Sequence, residues 1–205
     1  MDRPDALAAL ARHLRTLPAS CGPVRLIGID GHAGSGKSTL ARRLAGTLGG
    51  APVVHLDDVA SHDRLFDWTD RLAAQVVGPL SQGERARLGV YDWERRVFDG
   101  TVEVPPAEAV LVEGVGAGRS ALRPFLAALL WLDVPEEVAW ARGRSRDGAA
   151  LAEFWDGWTG AERAHFRRDP SYPRADYLVR PGTVGYEVRP GPAGPGSDPP
   201  GHDPR

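Results

Sequence analysis

One stretch of eight residues constrains this chain more than any other: Gly31-His32-Ala33-Gly34-Ser35-Gly36-Lys37-Ser38, with Thr39 next. It fits the pattern G-x-x-x-x-G-K-[ST] without a mismatch. Before it, Val24 to Asp30 reads as a short buried strand; after it, Ser38 to Ala45 carries apolar residues at helical spacing. Strand, glycine-rich turn and helix N-terminus in that order make an anion site, because free backbone N–H groups and the helix dipole point at the turn. Residues 31–39 are therefore expected to cradle a nucleotide's phosphates. Lys37 would reach the terminal phosphates and the Ser38 hydroxyl would hold a magnesium ion. Lys37 is also the only lysine among the 25 lysines and arginines. A sequence that writes every other cation as arginine keeps lysine where a slim point charge must lie along the loop.

Composition excludes other classes. A hydrophobic fraction of 42% and a charged fraction of 25% fit a soluble globular protein, and 205 residues suffice for one α/β domain with a proper core. A formal charge of −2 leaves no electrostatic footprint for nucleic acid or an anionic membrane. No apolar run is long enough to span a bilayer. The single cysteine, Cys21, precludes an internal disulfide framework and fits a reducing cytoplasm. His32 and His62 have no metal-ligand spacing with another His or Cys, so a zinc site is not expected. Oligomeric state stays open.

Along the chain, Leu7, Leu10, Leu14 and Leu17 predict an amphipathic helix over 5–17 that packs on the core. Strands are expected at Pro52 to Leu56, Ala109 to Val112, Leu129 to Val134 and Asp176 to Val179, the last with a hairpin partner over Val184 to Val188. Helices are expected over 67–80, ended by Gly78-Pro79, after Pro135, and over 149–168. The stretch Ser81 to Pro106 reads as polar and irregular, with short strands. Strands alternating with helices imply a three-layer α/β sandwich with a mostly parallel sheet. Such sheets bind ligands at the carboxyl ends of their strands, where Gly31, Asp57 and Glu113 all fall. Residues 1–189 make one domain on this reading, and the Pro/Gly-rich stretch 190–205 is expected to be disordered.

Two nucleotide-binding classes drop out on residues. Reading guanine takes an Asn/Thr-Lys-x-Asp signature, and the chain has no asparagine and no second lysine. Leu80-Ser81-Gln82-Gly83-Glu84-Arg85 echoes the signature loop of ABC ATPases, but it lies too close after Lys37, and the next strand ends in Glu113-Gly114 rather than Asp-Glu. What remains is a kinase for small molecules. In-line phosphoryl transfer needs phosphate charge neutralised and a nucleophile positioned. Lys37, Mg²⁺ and the run Arg142-Gly143-Arg144-Ser145-Arg146-Asp147 can do the first. Arg142 and Arg146, at i,i+4, share a helical face and are the better pair. Asp57 can accept a proton or orient a hydroxyl, and Glu113, with Asp57, is placed to hold Mg²⁺. Trp155 and Trp158, at i,i+3, are expected to pack the lid helix.

From Val24 to Val179 the chain resembles the uridine kinase and phosphoribulokinase group of phosphate-loop (Walker A) kinases. The resemblance rests on the loop, on His55-Leu56-Asp57-Asp58, on Tyr91-Asp92-Trp93, on Val110 to Gly114 and on the arginine-rich lid. It implies Asp57 as general base and Tyr91, Asp92 and Trp93 at the acceptor, with ATP as phosphoryl donor. Val59 and Ala60 replace the group's aromatic pair, and Arg96 stands where uridine kinases carry a base-reading histidine. The acceptor therefore stays open beyond a hydroxyl-bearing small molecule, with nucleosides the first class to consider. Two alternatives accompany this reading. One is a nucleoside monophosphate or dephospho-coenzyme A type kinase that uses Arg96 and Arg119 as phosphate anchors. The other is an ATP-binding protein without catalysis.

Overall fold

The computed structural model describes residues 5–194. Its centre is a six-stranded sheet in the order β2-β5-β1-β6-β7-β8. The strands are β1 (Arg25–Asp30), β2 (Val53–His55), β5 (Ala109–Glu113), β6 (Leu126–Leu132), β7 (Tyr177–Pro181) and β8 (Tyr186–Pro190). All neighbours pair in parallel except β7 and β8, which form an antiparallel hairpin. A separate antiparallel hairpin joins β3 (Ala86–Asp92) to β4 (Val97–Val104).

Period-two alternation explains how both faces of the sheet are covered. Ile27, Ile29 and Leu111 face α1 (Ala6–Thr16) and α2 (Lys37–Thr47), meeting Leu10, Leu14, Leu40 and Leu44. Leu26, Val110 and Val112 face the other way, onto α3 (Leu56–Val59), α4 (Thr69–Leu72) and the inner side of the β3–β4 hairpin. Helix α1 starts where sequence placed it, with Asp5 Oδ1 accepting from the Leu7 amide at 3.1 Å.

Four elements differ from expectation. The helix over 67–80 does not stop at Gly78-Pro79. It passes from α4 through one wide turn (Ala73–Val77), where the Gly78 amide bonds the Ala73 carbonyl, into α5 (Gly78–Ser81). Pro79 lacks an N–H and clashes with the carbonyl four residues back; the widened turn accommodates both. The polar stretch after Ser81 is a long hairpin, because Ala86, Leu88, Tyr91 and Val104 find a face to bury while the rest of β4 stays exposed. Strand β6 begins three residues early, since Leu126 registers with Leu26 of β1, and it ends before Asp133, which instead receives Arg180 and Arg189. The start of the Pro/Gly-rich stretch folds back on the sheet edge: Gly191 donates to the Asp176 carbonyl and Ala193 to that of Ala175. Residues 195–205 lie outside the described residues.

Beyond the strand ends, α6 (Glu136–Asp147) and α7 (Ala152–Arg168) stand over the glycine loop as a helical lid. Among the described residues no helix is long and apolar enough to cross a membrane.

Candidate active site

Strand order dictates where the chemistry meets. Strand β5 lies between β1 and β2, so its terminal Glu113 emerges between the glycine loop after β1 and Asp57 after β2. Gly114 makes the approach possible: its φ is +147°, and a Cβ there would lie 2.6 Å from Cβ of Leu56. Lys37, Ser38, Asp57, Glu113, Arg142 and Arg146 all line one cleft of about 750 Å³, together with Gly34, Gly36 and Thr39 of the loop.

Each donor-side group has defined partners. Lys37 is buried along the loop and its Nζ bonds the carbonyls of Gly31 and His32, both at 3.0 Å. Glu113 bonds His55 Nδ1 at 2.5 Å, and the Ser38 hydroxyl lines the same cleft. Burial alone would push the Glu113 carboxyl up; the His55 bond, Lys37 and Ser38 outweigh it and hold the group below the ordinary glutamate value. The same bond raises the pKa of His55. Asp57 is open to solvent, yet it lies on the floor of a cleft whose walls crowd it. That crowding raises its pKa, the Glu113 charge adds to the rise, and Lys37 opposes it. Asp58 is likewise raised, first by burial.

The lid arginines divide as their spacing requires. Arg142 and Arg146 face the cleft, whereas Arg144 points away and pairs with Asp156 of α7 at 2.7 Å. Arg146 is braced by its neighbour Asp147 (Nε–Oδ1 2.6 Å, Nη2–Oδ2 3.0 Å), and Asp147 also accepts from Trp155 Nε1.

The other end of the cleft, where the acceptor is expected, is largely aromatic. Trp93, His62, Leu151, Phe154 and Trp158 line it. Trp93 is anchored by its indole N–H to the Asp57 carbonyl at 3.1 Å. The His62 ring sits 4.9 Å from that of Trp93 and 6.0 Å from that of Phe154. Tyr91 lies behind this wall, its hydroxyl 3.0 Å from His62 Nδ1. Two residues expected at the acceptor are used elsewhere. The Asp92 carboxylate accepts from the amides of Glu94 and Arg95 and so shapes the hairpin turn. Arg96 occupies the left-handed position of that turn (φ +56°), exposed and outside the cleft lining. Arg119 is buried under the loop after β5, over the Trp68 ring at 4.0 Å, and bonds the Phe66 carbonyl and Thr69. Neither arginine supplies the cleft with the phosphate anchor that a phosphorylated acceptor requires.

Sequence reasoning missed four participants: His55 on Glu113, His62 and Phe154 at the acceptor end, and Glu162 between the loop and the lid helices. His55 adjoins the Asp57 motif and could have been flagged. The others come from loops and helices distant in sequence, with no spacing to betray them.

Fold and site define a P-loop nucleotide-binding protein of the kinase type. Residues 27–156 match the AAA domain family, and the chain belongs to that family. Its curated relatives include uridine kinases and a phosphoribulokinase. The uridine kinase of Borrelia hermsii is 24% identical over 182 residues, covering 78% of this chain and 87% of that one. Inorganic pyrophosphatase TTM2 of Arabidopsis thaliana is 26% identical over 129 residues, 58% of this chain but only 19% of that protein's length. A possible uridine kinase from Bacillus stearothermophilus shares the fold, with a TM-score of 0.62, 24% identity, and coverage of 85% of this chain and 97% of that one.

Proposed function

We propose that this protein is a kinase that transfers the γ-phosphoryl group of ATP to a hydroxyl of a small, unphosphorylated acceptor. The observation that carries the reading is the meeting of loop, carboxylates, lid arginines and aromatic wall in one cleft. The loop amides and Lys37 bind the phosphates; Arg142 and Arg146 neutralise charge that spreads over the transferred group. Asp57 takes up or orients the acceptor hydroxyl's proton. Its crowded setting and the Glu113 charge raise its proton affinity, which favours proton uptake from the acceptor hydroxyl. The aromatic wall holds a flat acceptor against Asp57 and excludes water, so that ATP is not merely hydrolysed.

The donor set suits Mg²⁺. Ser38, Asp57 and Glu113 offer the cleft a hydroxyl and two carboxylates, an all-oxygen donor set. Among the described residues no group of three or more His, Cys, Asp or Glu is placed to hold a metal ion, so Mg²⁺ would draw its remaining ligands from the substrate's phosphates. When bound, Mg²⁺ would neutralise phosphate charge, with Ser38, Glu113 and Asp57 the residues to hold it.

The test is an acceptor panel of nucleosides, vitamins and sugars, each with and without a phosphate, incubated with ATP and Mg²⁺ and read as ADP released above the acceptor-free rate. Turnover of an unphosphorylated acceptor, lowered about 10²-fold in Asp57→Asn, is the expected result. ATP binding without transfer to any acceptor would leave a silent nucleotide-binding protein, and transfer to phosphorylated acceptors alone would refute the acceptor assignment.

A further inference from the structure

Between the glycine loop and the lid helices lies a carboxylate that the kinase chemistry does not use. Glu162, on the inner face of α7, has no solvent exposure. It is nonetheless fully hydrogen-bonded, from three separate elements. Oε1 accepts from His32 Nδ1 at 2.7 Å and from the Trp140 indole at 3.1 Å. Oε2 accepts from the Ala33 amide at 3.1 Å and from the Trp158 indole at 2.9 Å. Two donors belong to the nucleotide loop, one to α6 and one to α7. Burial alone would push this carboxyl up; the His32 bond, Lys37 and the Ala33 amide together hold it below the ordinary glutamate value, so it stays charged.

The surroundings leave this arrangement little freedom. The His32 ring meets Trp131, Trp140 and Phe166 edge-on, with centroids 5.4 to 6.0 Å away. On the opposite side of the loop, a Cβ at Gly34 would lie 2.1 Å from the Ala139 carbonyl of α6. The loop is thus wedged against the lid helices and tied to them through one buried anion. A buried charge is costly unless every lone pair is used, and here two donors serve each oxygen.

We infer that Glu162 is a positioning residue that locks the first turn of the nucleotide loop to lid helices α6 and α7, so that loop and lid move as one body. The lid is then coupled to phosphate binding. A loop held open by its tether presents its amides ready-made, and a nucleotide that orders the loop also orders the helices carrying Arg142 and Arg146. The coupling to nucleotide rests on the kinase reading; the tether itself does not.

Glu162→Gln is the discriminating variant, because either flip of the amide turns an NH₂ group toward two N–H donors. Hydrogen exchange of the nucleotide-free protein tests the tether alone. Exchange of residues 31–36 and 136–165 should rise together in Glu162→Gln, with β1 and β5 unchanged. A rise confined to α7, or none, overturns the inference. Should Glu162→Gln fail to fold, His32→Leu carries the same measurement: it removes one donor within an apolar surround, and a smaller joint rise is expected. Binding of the ATP analogue AMP-PNP with Mg²⁺, followed by tryptophan fluorescence, tests the coupling. Kd should rise roughly tenfold in Glu162→Gln, the scale of one charge-assisted hydrogen bond. An unchanged Kd beside a lowered melting temperature would mark Glu162 as structural only and overturn the coupling. Absence of binding by the unaltered protein would instead refute the nucleotide-binding reading, and the exchange data would still decide the tether.

Discussion

The two ends of the cleft are built differently. The phosphate end is made of short contiguous segments that leave neighbouring parallel strands: the loop after β1, Asp57 after β2 and Glu113 closing β5. Its geometry follows from strand order, and each group is placed by backbone. The acceptor end is made of side chains from three unrelated places: His62 in the segment after α3, Trp93 at the tip of a hairpin, and Phe154 and Trp158 on α7. Its geometry follows from packing of aromatic rings. The first end is fixed by the order of the strands; the second can change by substitution without disturbing the sheet. A fold of this kind keeps its donor chemistry fixed and varies its acceptor at low structural cost.

The largest effect should come from removing the backbone-placed charge. Lys37→Ala is expected to lower kcat/KM about 10³-fold, the scale of losing a transition-state donor, with an unchanged circular dichroism spectrum. Asp57→Asn should lower kcat about 10²-fold while leaving AMP-PNP affinity nearly intact. A loss of nucleotide binding in that variant would show that the two ends are not separable as described. Trp93→Ala should raise KM for the acceptor about tenfold, a cost in keeping with a lost aromatic contact and its bond to the Asp57 carbonyl, while KM for ATP stays within twofold. An equal rise in both constants would break the division between the ends.

A smaller effect concerns acid stability. The Glu162 carboxyl is depressed in the folded protein, so its stabilisation is complete above the ordinary value of 4.5 and is lost as pH falls below that toward the folded value. The melting temperature of Glu162→Gln should therefore lie closer to that of the unaltered protein at pH 3.5 than at pH 7, in a thermal melt series. The smallest effect belongs to Arg144→Ala. Its guanidinium pairs with Asp156 on the exposed side of the lid, so activity should stay within twofold. Arg142→Ala, measured beside it, should lose more than tenfold.

What could be read from sequence follows the same division. The loop, the strand-end carboxylates and the i,i+4 arginine pair are local patterns, in which a few consecutive residues specify both geometry and role. They came together in the structure as their positions along the strands required. Asp92 and Arg96 sit beside Trp93 in sequence, but a tight turn sends consecutive side chains in different directions. Of these three only Trp93 reached the cleft, and Asp92 and Arg96 went to the turn itself. His62 and Phe154 were invisible because no local rule ties a residue before a helix to one on a lid. Glu162 was hidden for a related reason. A single acidic residue at mid-helix reads as a solvated face, and only its four donors, spread over three elements, reveal the buried role. The β3–β4 hairpin was underread because one strand is exposed almost throughout and therefore lacks an apolar alternation of its own.

The lone lysine has a practical consequence. With every other basic side chain written as arginine, amine-directed acylation finds one ε-amino group in the whole sequence, and that group lies at the heart of the phosphate end. Covalent labelling there is a built-in occupancy gauge, since a bound triphosphate would shield it. The same reagent leaves the arginine-clad exterior untouched, so loss of function that ATP prevents would report on Nζ of Lys37 rather than on the α-amino group.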